Sequence, residues 1–220
     1  AQSLVAEDAD AISENVAGVA AIATQVSGRY QVTAKGTNTN TSVNGVSSSW
    51  TVVRNVEIAE GAFFGETQNT SGAKVAVLGP TTRDDLFGVG AAAVGEVVRI
   101  NGLQFKVIGV TAAKGGTGFQ NQDDIIYIPV RSAQRYLTGS QALNAIAVTT
   151  ASADEMATVQ ADITALLRAR HNIAEDEEAD FSVLNQADIL SSASSITATL
   201  TYLLAAIGGA GIVLYLRDSG

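Results

Sequence analysis

The sequence predicts an α+β chain of two lobes, one assembled from both chain ends around a β-rich insertion. Three observations carry this. The outer parts alternate between helical and strand periodicity, whereas the middle reads as short strands separated by frequent turns. With 220 residues and 46% hydrophobic content, the chain is long enough for one or two domains with a real core. Residues 1–44 and 131–207 are assigned to the first lobe and residues 45–130 to the insertion. Residues 208–220 are assigned to a truncated membrane-helix start or an appended tail.

The elements follow in order. Val5, Ala9, Ile12 and Val16 recur at helical spacing. Glu7, Asp8, Asp10 and Glu14 are placed on the other faces, the early acids suiting the positive end of the helix dipole. Ser3 is the expected N-cap and Gly18 the expected C-cap glycine. Residues 19–34 read as β-like. Lys35 to Gly45 (KGTNTNTSVNG) reads as a hairpin or an inter-lobe connection. Lys74 to Gly79 reads as a strand, and Thr81 to Gly88 as one or two helical turns capped by Thr81 or Thr82. Asn101-Gly102 lies between the alternating segments 97–100 and 103–108. That is a strong hairpin signal, because a type I′ turn needs positive φ at both central positions. Ile125 to Ile128 is a strand ended by Pro129, Arg131 to Leu137 a short helix, and Leu143 to Thr149 a strand. Ser152 and Glu155 form a candidate capping box. The helix behind it places Met156, Val159, Ile163, Leu166 and Leu167 on one face. Arg168, Arg170 and His171 occupy its last turn, at the negative dipole end. Phe181 to Leu184 is a short strand, and a final helix begins near Gln186.

The chain's ending is unusual. No charged residue occurs from Ile189 to Leu216. The first half of this run is Ser/Thr-rich and amphipathic, the second almost purely apolar. A spanning helix needs roughly 20 apolar residues, and Gly208, Gly209 and Gly211 interrupt this one. Periodicity leaves two readings open, a buried C-terminal helix or entry into a membrane.

Composition excludes several functions. The net charge is -9, which argues against nucleic acid, since phosphate binding requires a basic face. It argues equally against docking on an anionic bilayer. No cysteine is present, so thiol catalysis and disulfides are excluded. No signal peptide precedes Ala1, so export would imply a membrane helix upstream. With His171 as the one histidine, a two-histidine metal site is impossible and a Ser-His-Asp triad could use only that residue. It reads as a helix terminus before a solvated acidic loop, Asp176, Glu177, Glu178 and Asp180. The glycines of GVGAAAVGE miss the dinucleotide spacing. AKGGTGFQNQDD has neither a P-loop lysine-serine pair nor an EF-hand pattern. The adjacent carboxylates Asp84/Asp85, Asp123/Asp124 and Glu177/Glu178 point in different directions on a helix or strand and build no acid/base pair by themselves. No catalytic, cofactor or metal residue is assigned. Phe119, Gln120 and Asn121, an aromatic among glycines and amides, form a candidate partner-contact loop.

Four segments resemble a known family. They are EDADAI from Glu7; VNGVSSSWTVVRNVEIAEGAFF, Val43 to Phe64; VAVLGPTTRDDLFG with GEVVRINGLQFKVIGV and QDDIIYIPVRSAQRYLTG; and RHNIAEDEEADFSVLNQADILSSASSITATLTYLLAAI. In this order they are similar to the extracytoplasmic core domain of MacB-type ABC-transporter permeases. Ala62 stands where that family usually has arginine, and Ser48 and Ser49 where it often has proline and aspartate. Beyond Ile207, GGAGIVLYLRDSG departs from the family's membrane helix. The resemblance implies a four-helix permease with this domain between helices one and two, periplasmic or extracellular on the cell (inner) membrane. It implies a porter-like α/β lobe from both chain ends and an inserted Sabre-like lobe. The implied partners are a second permease copy, an ABC ATPase subunit or domain and, in some members, a periplasmic adaptor. The implied role is non-catalytic mechanotransmission, coupling cytoplasmic ATP hydrolysis to export without a cofactor. Two other readings follow from the residues: a stand-alone periplasmic binding module for a small molecule or peptide, and a hydrolase using His171. The resemblance favours membrane entry up to Ile207 for the uncharged run.

Overall fold

A computed structural model of the chain describes residues 4–114, 122–173, 181–184 and 213–218. In chain order its elements are α1 (Ala6–Asn15), β1 (Val19–Ala34), β2 (Thr37–Val46), α2 (Trp50–Val53), β3 (Ile58–Gly61), α3 (Glu66–Ser71), β4 (Val75–Leu78), α4 (Pro80–Phe87), β5 (Val97–Ile100), β6 (Leu103–Thr111), β7 (Ile125–Pro129), α5 (Val130–Ala133), β8 (Ala145–Thr150), α6 (Met156–Arg170), β9 (Phe181–Leu184) and β10 (Val213–Asp218). The fold is a mixture of helices and strands, in two compact units. Unit 1 comprises residues 1–25, 52–55 and 141–220, and unit 2 residues 26–51 and 56–140. From sequence, the boundaries are expected at residues 44/45 and 130/131. Residues 26–44 and 131–140 instead group with the middle of the chain. The reason is pairing: β2 lies parallel to β7, the end of β1 pairs with β5, and α5 contacts α3 and β2.

In unit 1 the strands run β1-β8-β10-β9, all antiparallel. All six residues of β8 are buried, as expected of a central strand covered on both faces. Ala9 and Ile12 of α1 are buried, as are Met156, Val159, Ile163 and Leu167 of α6, so both helices use the face their periodicity predicts. Leu166 is only half-buried. Several caps differ from expectation. The N-cap of α1 is Val5, and Ser3 lies outside the described residues. The Asp8 carboxylate accepts the Val5 N–H at 3.1 Å and so supplies the cap that a hydroxyl would have given. The helix ends at Val16; Gly18, with φ of 87°, instead turns the chain into β1. A 3₁₀ turn, Ala153–Glu155, precedes α6 in place of the Ser152 capping box, and there the Ser152 carbonyl accepts the Glu155 N–H at 3.3 Å.

Residues 213–218, read from sequence as a membrane-helix start or tail, form β10, paired with both β8 and β9. Six apolar-rich residues are too few for periodicity to separate strand from helix, and antiparallel pairing satisfies their backbone groups. The helix expected from Gln186, with its membrane entry up to Ile207, falls mostly on residues 185–212, outside the described residues. Among the described residues no helix is long and apolar enough to cross a membrane.

In unit 2 the strand pairings close on themselves: β1-β2-β7-β4-β6-β5 and back to β1, with β3 added on β6. Closure leaves the six ring strands without a free edge, and such an edge would otherwise be a template for aggregation. Alternation sets the interior. In β5, Val98 and Ile100 are buried while Val97 and Arg99 are exposed, and Phe105 and Val107 of β6 lie inside with them. Two hairpins build the ring. Asn101-Gly102 joins β5 to β6 with φ of 50° and 83°, as its sequence predicts. Lys35-Gly36 joins β1 to β2 with φ of 49° and 81°, so the turn-rich stretch is a two-residue turn followed by a strand. A Cβ at Gly45 would collide with the Ala133 side chain, so glycine lets β2 lie against α5. The cap of α4 is Gly79 with Pro80 at the first helical position, not Thr81 or Thr82. The short helix expected at 131–137 is α5 continued by a π-helical turn, Gln134–Thr138, which ends at Gly139 with φ of 63°.

Candidate functional site

Three polar constellations stand out. The first joins distant parts of unit 1. The Asp8 carboxylate receives Arg170 Nε at 2.9 Å on Oδ1 and lies 3.0 Å from His171 Nε2 on Oδ2. The Asp8 and His171 side chains are 2% and 3% exposed, Arg170 35%. Burial pushes the Asp8 carboxyl upward, but the bonds from Arg170, His171 and the Val5 N–H outweigh it and hold it below its ordinary value of 3.8. The cluster ties the start of α1 to the end of α6. Asp8 is therefore not the solvent-facing acid its helical position suggested, and His171 is sequestered where a substrate has no access. Its geometry is that of a structural anchor.

The second lies in unit 2. Asp124 Oδ1 accepts the hydroxyls of Thr41, at 2.7 Å, and Thr82, at 3.1 Å, and both threonines are fully buried. Asp123 Oδ1 accepts the Lys114 N–H at 2.8 Å. The neighbouring pair on α4 behaves differently. Asp84 is lowered by its hydrogen bonds from Arg83 and the Gly90 N–H, whereas Asp85 is raised by partial desolvation and by the charges of Asp124 and Asp84. The adjacent acids thus divide by role, and among the described residues no carboxylate cluster suits a metal ion.

The third is an open groove of about 390 Å³ in unit 2, lined by Thr33, Lys35, Asn38, Val97 and Arg99 with Ala34 and Gly36. A second hollow, lined by Gln31, Asn38, Thr39 and Asn40, shares Asn38 with it. Polar rungs cross the β1–β2 hairpin here: Arg29 Nε donates to Asn40 Oδ1 at 3.2 Å and Gln31 Nε2 to Asn38 Oδ1 at 2.9 Å. The candidate contact loop, Phe119, Gln120 and Asn121, falls outside the described residues. Sequence reading missed both the Asp8 cluster and the groove. A lone histidine following an arginine was the available hint for the first; the second depends on non-local pairing and left none.

A family model described as the MacB-like periplasmic core domain matches residues 1–166. A macrolide export ATP-binding/permease protein MacB of Bdellovibrio bacteriovorus is 34% identical over 209 residues, covering 94% of this chain and 32% of that protein. The protein of the same name from Azoarcus sp. is 33% identical over 213 residues, 96% of this chain and 31% of its own. The chain thus spans about a third of the curated relatives it matches. Among solved structures, the extracellular domain of the ABC-type transporter YknZ from Gram-positive bacteria superposes with a TM-score of 0.70 at 21% identity, covering 79% of this chain and 87% of that one. The periplasmic region of MacB from Actinobacillus actinomycetemcomitans gives 0.69 at 19% identity, covering 78% and 76%. At these identities the structures speak for the fold. The family match runs through α1, the closed strand ring and most of α6, so this chain belongs to the MacB-like periplasmic core domain family.

Proposed function

We propose that this chain is the extracytoplasmic domain of an ABC-transporter permease and that it relays motion rather than performing chemistry. The observation that carries the reading is the family match across both units. On this reading unit 1 is the porter-like lobe and unit 2 the Sabre-like lobe, and the parent protein sits in the cell membrane. ATP hydrolysis belongs to a separate nucleotide-binding domain or subunit. A second permease copy closes against the first, and a periplasmic adaptor serves members that have one. The structure suits a relay in two ways. The ring of unit 2 is closed, so it moves as a body. Asp8, Arg170 and His171 fasten the first helix of unit 1 to its last described helix, so a displacement of either is shared by both. Such closure is a hinge or shear transition between stiff parts.

The test is purification of the full-length protein with its ATP-binding domain or neighbouring ATPase in mild detergent, followed by reconstitution. Co-purification and ATP-dependent export that is lost when residues 1–220 are replaced by a short linker are expected. Export that survives the replacement would overturn the reading.

A further inference from the structure

We propose that the groove across the β1–β2 hairpin and β5 in unit 2 binds an extended acidic segment of a partner protein, with Arg99 and Lys35 receiving its carboxylates. This goes beyond the transporter reading and does not depend on it.

Charge is the first argument. The chain carries -9 overall, so its mean field opposes an anionic partner except where cations gather. Here they do. Arg99 points outward from β5 opposite Thr33 of β1 and has no carboxylate partner among the described residues. Lys35 stands at the hairpin tip, its side chain 63% exposed, in a 3.3 Å pair with Glu96 and 5.9 Å from the centre of the Phe87 ring. An exposed pair of that kind is worth little and exchanges readily for another carboxylate. Arg99 can hold a carboxylate through two parallel N–H donors, a geometry that lysine lacks.

The lining is the second argument. Asn38 accepts from Gln31 through Oδ1, and its NH₂ group is the donor suited to a peptide carbonyl. Thr33 adds a hydroxyl, and Val97, 46% exposed, adds a small apolar contact. No aromatic ring lines either hollow, which disfavours a sugar or base that would stack. Neither hollow encloses an apolar pocket of the kind a drug-sized ligand needs. Two hollows joined at Asn38 form a trough, the shape that an extended chain fills.

The backbone of Lys35 is the third argument. It holds the left-handed conformation, φ 49°, where asparagine or glycine fits a two-residue hairpin better. A strained residue that presents a cation into a groove is a common mark of a working surface. This makes Lys35→Asn informative, since it relieves the turn and removes the charge together.

The probe is a fluorescein-labelled twelve-residue peptide of alternating Glu and Ser, titrated against the 220-residue chain and followed by anisotropy. Saturable binding is expected, weakened about tenfold by Lys35→Asn with Arg99→Gln, the combined effect of two exposed charge contacts. Lys35→Asn alone should weaken binding while melting no lower than the wild type, a pairing that loss of structure cannot produce. The proposal is overturned if binding does not saturate, if an alternating Lys and Ser peptide binds equally, or if the double substitution changes nothing. It is also overturned if phosphatidylglycerol vesicles, and not the peptide, bind in an Arg99-dependent way.

Discussion

Each unit holds an aspartate in a polar cluster, Asp8 buried in unit 1 and Asp124 half-buried in unit 2, and the two are satisfied by different means. In unit 1, Asp8 is met by an arginine and a histidine. In unit 2, Asp124 is met by two threonine hydroxyls. An arginine holds a carboxylate by charge, so loss of that carboxylate leaves the guanidinium uncompensated. Hydroxyls hold one by hydrogen bonds alone, which another acceptor oxygen can replace. The first arrangement fastens residues 163 apart in sequence and makes one unit from separate stretches of chain. The second links β2, α4 and the residue before β7, where β2 and β7 are already joined by backbone pairing.

The largest test of this contrast is the same substitution at both places. Asp8→Asn removes the charge between Arg170 and His171 and should cost about 3 kcal/mol, the lower end for a broken buried ion pair because Arg170 is partly exposed. Asp124→Asn can keep a carbonyl oxygen where both threonines donate, and should cost less than about 1 kcal/mol. Asp124→Ala, which orphans two buried hydroxyls, should restore a loss of about 2 kcal/mol. Amide hydrogen exchange in α1 and α6 reports the first. Fluorescence of Trp50, the single tryptophan and a buried residue of unit 2, reports the others in urea melts. Equal losses for the two asparagine substitutions would dissolve the distinction.

Acid is the next test. The Asp8 carboxyl is lowered in the folded chain, so its stabilisation is complete above the ordinary carboxylate value. It is lost as pH falls through the lower, folded value. Protection of α1 and α6 amides, taken relative to their intrinsic exchange rates at each pH, should therefore fall below about pH 4 in the wild type, and Asp8→Asn should abolish that acid limb. A limb that persists in the variant would assign it to another group.

The smallest effect has the opposite sign. Asp85 is exposed, yet partial desolvation of its carboxyl and the charges of Asp124 and Asp84 raise it. Its ionisation costs stability at neutral pH, and the cost disappears below its ordinary value as the group takes up its proton. Asp85→Asn should stabilise unit 2 at pH 7 by a few tenths of a kcal/mol, as befits an exposed position, and should do nothing at pH 3. Trp50 melts at the two pH values decide it.

Legibility in the sequence followed the range of the interactions. The Asn101-Gly102 turn, the buried face of α6 and the short strands of the middle are local patterns, and they were readable. The partner of Asp8 was not, because helical spacing put it on the polar face and its partners lie at the far end of α6. The stretch from Lys35 reads as a hairpin or a connection, but its turn at Lys35-Gly36 is not located, because lysine does not advertise positive φ. The closure of β1 onto β5 and the pairing of β10 with β8 are non-local, and the apolar run that contains β10 suits a helix equally well. The family was visible because four segments recur in order, each weak alone.

The proposed relay requires that each unit be stiff and that the two move as a transporter works. Cysteines introduced at Glu14 in unit 1 and Val89 in unit 2, both exposed, can carry spin labels once any cysteine elsewhere in the full-length protein is replaced. Pulsed electron resonance on the full-length protein in lipid nanodiscs should show the distance distribution shifting between the nucleotide-free and ATP-trapped states, with each state narrow. Identical distributions in the two states would contradict the account.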